Sequence, residues 1–231
     1  MSAQPPSSRR PPRRKRIRSE YRNTGYYPGY DVLDNQAHWD EPTWQAIRAR
    51  MEQTPPIRFF TAHERRLYER VCDLVAGQDP ERDPWTVPIV NFLDRKLDRN
   101  ETDGYRYAGM PPMREAFRLG ARAMDQSAGA IGGRIFTALE AAGQREVIAR
   151  LARHDPPGET WRRLNPKHFW HLLSTAVLRI FYAHPYLWNE IGYGGPAYPL
   201  GYMRLTNGEP DPWERREDRA VERERRGARA A

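Results

Sequence analysis

The stretch between Asn165 and His184 restricts the fold more than any other part of the chain. Phe169, Leu172, Leu173, Ala176, Val177, Ile180 and Phe181 recur at helical spacing and make one continuous apolar stripe. Asn165 can cap this helix and Pro166 suits its first position. Pro185 disfavours helical geometry at His184 and so ends it. A stripe of this kind is stable only against other elements, and the neighbouring sequence predicts more helices.

Thr61 with Glu64 three residues on has the form of a capping box. The helix behind it places Leu67, Val71, Leu74 and Val75 on one face, with Gly77 as its stop. Glu41-Pro42-Thr43 begins a short helix over 41–53, ended by Pro55-Pro56. Val90, Leu93 and Leu97 point inward from a helix over 87–97, and another covers 113–124. Gly129, Gly132 and Gly133 are expected to loosen the chain, and two short helices, 135–142 and 144–153, to flank Gly143. Residues 103–112 read as a turn-rich linker. No stretch alternates apolar and polar side chains convincingly, and no internal repeat is visible. The predicted fold class is all-α: a compact irregular helical domain over 26–205, with a Gly/Pro/aromatic C-terminal loop and disordered charged termini.

Charge sits mostly at one end. Residues 1–22 carry eight basic residues and one acid, +7 of the chain's net +8, so the remainder is near neutral. Residues 1–25 form a Pro-, Ser- and Arg-rich tail too poor in apolar side chains to repay the entropy of ordering. Residues 206–231 form a second charged tail. The arginine pairs resemble the start of a twin-arginine leader, yet Ile17-Arg18-Ser19-Glu20-Tyr21-Arg22 is polar where such a leader is apolar. No export signal and no transmembrane segment are therefore predicted. The arginine tail leaves one alternative function open, a nucleic-acid- or anion-binding module whose binding would collapse with salt. The near-neutral body does not favour it.

Several catalytic classes lack their motifs. No Gly-x-Gly-x-x-Gly follows a strand and no Gly-Lys-Ser/Thr phosphate loop exists. The single cysteine, Cys72, lies in an apolar helical pattern and reads as packing. His168 and His171 are three apart on one helix, with His184 beyond them, which would suit a metal-dependent enzyme if a further ligand existed. Glu190 near His184 could form an acid–base pair, although bonding to loop amides is the simpler role. No catalytic, cofactor or metal residue is assigned in this chain.

The densest signal is the run 184–202, rich in Gly, Pro, Tyr and Trp. Glycines allow turns with positive φ, and aromatics either pin such a loop to a core or make a recognition surface. Trp188 and Ile191 read as packing; Tyr193, Tyr198 and Tyr202 read as recognition, because their polar tips need partners or water. A second Tyr/Gly-rich arm spans 21–30. The expected partner-binding residues are Tyr26, Tyr27 and Tyr30 in the arm, with His184, Trp188, Glu190, Tyr193, Gly194, Gly195, Tyr198 and Tyr202 in the loop.

The run 182–202 resembles the C-terminal signature of the gluconate 2-dehydrogenase subunit 3 family. Residues 166–181 are similar to that family too, as are Phe59-Phe60-Thr61-Ala62-His63-Glu64, Val87-Pro88 with Phe92-Leu93-Asp94, and Asp103-Gly104-Tyr105-Arg106-Tyr107. The likeness covers 27–205. It implies a non-catalytic small subunit that accompanies a large FAD-dependent dehydrogenase of the glucose–methanol–choline type, which oxidises a sugar, sugar acid or polyol. It further implies that a multihaem cytochrome subunit can pass electrons to the membrane quinone pool. The small subunit would aid folding, stability or export of the large one, and the FAD would belong to that partner. Family members often carry a twin-arginine leader. Without its apolar stretch, the expectation here is a cytoplasmic protein, or a periplasmic or membrane-associated one co-exported with the large subunit.

Overall fold

The computed structural model describes residues 27, 30–81, 83, 86–198 and 201. Both charged tails, Tyr26 and Tyr202 lie outside them. Among the described residues the secondary structure is helical and no strand occurs. A 3-10 segment, Val32–His38, leads into α1 (Glu41–Glu52), α2 (Ala62–Ala76), α3 (Ile89–Asp98) and α4 (Met113–Gly132). A 3-10 turn, Phe136–Ala138, precedes α5 (Ala141–Ala152), and another, Glu159–Arg162, precedes α6 (Pro166–Tyr182) and α7 (Pro185–Ile191).

The helix starts follow their local chemistry. Asp40 accepts from the Thr43 amide at 3.0 Å to open α1. Thr61 and Glu64 close a reciprocal capping box on α2, which Gly77 ends in a left-handed conformation. Asn165 accepts from the His168 amide at 3.1 Å, with Pro166 in the first turn of α6. The stripe of α6 packs on α2, α3 and α5. Phe169, Leu173 and Val177 are fully buried there, each side chain contributing about 1.5–3 kcal/mol of hydrophobic stabilisation.

Three local expectations are corrected. First, α4 does not stop near Met124; it runs through Gly129 and Gly132 and ends where Gly133 turns left-handed. Tertiary contacts outweigh the cost of about 1 kcal/mol per helical glycine. Ala128 is fully buried, and Ser127 donates to the Ala123 carbonyl while accepting from Trp161 Nε1 at 2.9 Å. Second, the expected helix over 135–142 is only a 3-10 turn, Phe136–Ala138, and the break falls at Leu139–Glu140, so that Gly143 lies in the first turn of α5, where the backbone N–H groups have no intrahelical partner to lose. Third, Pro185 ends the long helix but also starts α7, where a proline in the first turn loses no hydrogen bond.

A buried acid joins the first half of the domain. Asp94 on α3 is fully buried, and its carboxylate accepts from the amides of Arg58, Phe59 and Phe60 at 2.7–3.1 Å. Those three residues lead directly into the Thr61 cap. Arg118 from α4 then meets Glu64 at 2.8 Å, donates to the Phe59 carbonyl and stacks on the Phe59 ring. Close approach of α4 and α6 depends on Gly120, where a Cβ would lie 2.1 Å from Phe169 Cζ.

Candidate partner-binding surface

Those of the predicted surface residues that are described fall at the meeting of α7, residues 192–198 and the arm that leads into α1. Here Val32, Leu33, Trp39, Trp44, Ile47 and Trp188 form a second apolar cluster, with Tyr30, Met51 and Tyr193 against it. Asn189, buried on α7, accepts from the Val32 amide at 2.8 Å. Trp188 Nε1 donates to the Tyr182 carbonyl at 2.9 Å, and its ring meets Tyr193 edge-on. The Tyr30 hydroxyl donates to the Tyr193 carbonyl, and Asn35 Nδ2 donates to the Gly194 carbonyl at 3.2 Å. Gly195, at φ +87°, lets Trp39 approach so closely that a Cβ would sit 2.4 Å from Cζ2. Gly192 does the same for the Tyr27 ring.

The arm and the loop therefore cover each other. His184, Trp188, Gly194 and Gly195 are buried, and Tyr27, Tyr30, Glu190 and Tyr193 are half-buried. Of the described residues proposed for recognition, only Tyr198 stands well out, at 62 % exposure. Ile191, read from sequence as packing, is half exposed instead. The reason is geometric: α7 is a helix, so its side chains point around its whole circumference, and Leu187, Trp188 and Asn189 turn inward while Ile191, at its last position, faces out.

The His184 imidazole is pushed down to about 4, because burial disfavours its charged form and the Arg50 guanidinium repels it. A hydrogen bond to the Arg50 backbone opposes this in part. Burial likewise pushes the Cys72 thiol up, out of the range of a reactive thiolate. Among the described residues no three His, Cys, Asp or Glu side chains stand together as metal ligands would. His168 and His171 are instead engaged by Tyr107, which stacks on His168 at 4.1 Å and meets His171 edge-on at 5.9 Å.

That stack belongs to a feature that sequence reasoning passed over as a linker. Residues 100–113 and one side of α6 enclose a cleft of about 300 Å³, floored by Met110, Pro111 and Leu172 and rimmed by Tyr105. Beside it lies a smaller cleft of about 160 Å³ between α1, α3 and α6, lined by Arg50, Phe92, Arg95, Lys96, Ile180 and His184 among others. Arg179 borders both. Asp103 bridges Lys96 at 2.6 Å and Arg179 at 3.2 Å along the divide. The available sequence signal was the recurrence of Tyr105 and Tyr107 opposite the spacing of His168 and His171.

The family model for gluconate 2-dehydrogenase subunit 3 matches residues 62–195. The chain belongs to that family. Comparisons with curated proteins and with solved structures give no match. The span matched in this subunit 3 family member is narrower than the 27–205 expected from the motifs. It takes in α2 to α7 and the larger cleft, and ends at Gly195. Tyr27, Tyr30, the 3-10 segment and α1, which cover the corner, lie before it. No helix among the described residues is long and apolar enough to cross a membrane.

Proposed function

We propose that this chain is a non-catalytic small subunit that binds and stabilises a large FAD-dependent dehydrogenase acting on a sugar, sugar acid or polyol. The match to the subunit 3 family over 62–195 carries the reading. The family name places such chains in a dehydrogenase assembly. The mechanism is mass action: a subunit that binds the folded flavoprotein and not its unfolded form raises the folded fraction. In this reading FAD belongs to the large subunit, from which a multihaem cytochrome subunit, where the complex has one, can take electrons onward. The compartment is that of the large subunit: cytoplasmic, or periplasmic or membrane-associated where the two are exported together.

Co-expression with a large flavoprotein of this type, sought in the neighbouring reading frames, tests this. The expected result is more soluble, flavin-loaded flavoprotein and co-purification of both chains. An unchanged yield with no co-purification ends the reading. So does turnover of a sugar by the isolated chain with its own stoichiometric flavin.

A further inference from the structure

We infer that the two adjoining clefts along α6 form one groove that receives an acidic segment of the large subunit. An aromatic or long apolar side chain of that segment enters the Tyr107 cleft, and a neighbouring carboxylate enters the Arg50/Arg95 cleft. The inference rests on the proposed partnership and adds where and by what chemistry the partner is held.

The charges are the first ground. Arg50, Arg95, Lys96 and Arg179 line the smaller cleft, against one acid, Glu101. Glu101 lies 3.7 Å from Arg99, and Asp103 is taken up by Lys96 and Arg179. Among the described residues no carboxylate pairs with Arg50 or Arg95. Both side chains are nevertheless held in place. Arg50 Nη1 donates to the Ala183 carbonyl at 2.8 Å, and Arg95 lies over the Phe92 ring. Arg50 is lowered from its ordinary value by burial and then by the charge of Arg95. An incoming carboxylate would relieve that repulsion and could accept from a guanidinium fork.

The shape of the neighbouring cleft is the second ground. Its wall is the Tyr107–His168 stack, its floor is apolar, and Tyr105 stands 69 % exposed at the rim. Exposed tyrosines around an apolar recess are the usual surroundings of an interface anchor. Because Arg179 and Asp103 connect the two clefts, one occupant can use both. A simple anion would use only the smaller cleft, whereas an extended polypeptide reaches across the divide. The corner at α7 offers less, since its large rings already pack on the arm.

Binding of the full-length chain to that large flavoprotein, measured by biolayer interferometry, tests the groove. Arg95→Glu and Tyr107→Ala are each expected to raise Kd by about tenfold or more. Arg145→Glu, on α5 and lining neither cleft, is expected to leave it unchanged. Raising NaCl from about 50 to about 500 mM should weaken wild type more than Arg95→Glu. Melting temperatures check folding, and Arg95→Glu carries the test if Tyr107→Ala unfolds, because Arg95 is exposed and makes no ion pair among the described residues. If wild type binds and both groove variants bind equally well, the groove is wrong and the partnership stands. If wild type does not bind, both fall.

Discussion

The apolar cluster among α2 to α6 and the cluster around Trp39, Trp44 and Trp188 are closed in different ways. In the first, successive helices of one continuous stretch pack on one another, and buried polar groups such as Asp94 and Ser127 are satisfied within it. In the second, the two ends of the domain meet across a sequence separation of 157, as in the bond from Val32 to Asn189. It is small, and its closure depends on glycines at Gly192 and Gly195. Local stability scales with buried contacts, so the second cluster should open first while the first governs global unfolding. The comparison also concerns function. Most of the described rings that the sequence marks for recognition at the corner pack against this chain's own arm, whereas Tyr198 stands exposed.

The largest effect should come from removing the buried acid that anchors the first cluster. Asp94→Ala leaves the Arg58, Phe59 and Phe60 amides without their acceptor and should cost about 3–5 kcal/mol in urea unfolding. A loss under about 1 kcal/mol would show that water replaces the carboxylate and that the anchor is dispensable.

Acid should separate the two clusters. His184 is neutral when folded, at about 4, against about 6.5 unfolded. The unfolded state therefore takes up the proton first. Its contribution is intact above pH 6.5 and is lost as pH falls towards 4, to a ceiling of about 3 kcal/mol. Asp73 on α2 acts in the opposite direction, because burial raises its carboxyl to about 6. Folding favours its protonated form, so acidification over the same window supports α2. Hydrogen exchange at pH 5 against pH 7, corrected for intrinsic rates, should show α1 and α7 loosening before α2. Uniform loosening would refute the separation.

A smaller, local loss is expected for Gly195→Ala, about 2 kcal/mol, since both the positive φ and the Trp39 ring oppose a side chain. Exchange should quicken in residues 30–47 with little change in α2 to α6. A fall in global stability of equal size would mean that the two clusters unfold as one.

Local signals in the chain were largely sufficient for the helices and their caps. Thr61 with Glu64, Gly77, and Asn165 with Pro166 act through neighbours within one turn, so sequence order alone states their geometry. The apolar stripe of α6 was legible for the same reason. Asp94 left a weaker trace, an acid beside Leu93 on an apolar helix, and nothing local says that the amides of 58–60 surround it. Gly120 likewise gives no hint that Phe169 requires its missing Cβ.

The sequence by itself determined the helical class, the starts of α1, α2 and α6, and the family, because periodicity, caps and motif spacing are properties of short stretches. Tertiary structure alone decided that α4 continues through Gly129, that the arm covers the corner, and that residues 103–107 and α6 enclose a cleft. Each of those outcomes depends on burial against residues distant along the chain. That burial exists only when the backbone brings them together, and it outweighs the local preferences that sequence order displays.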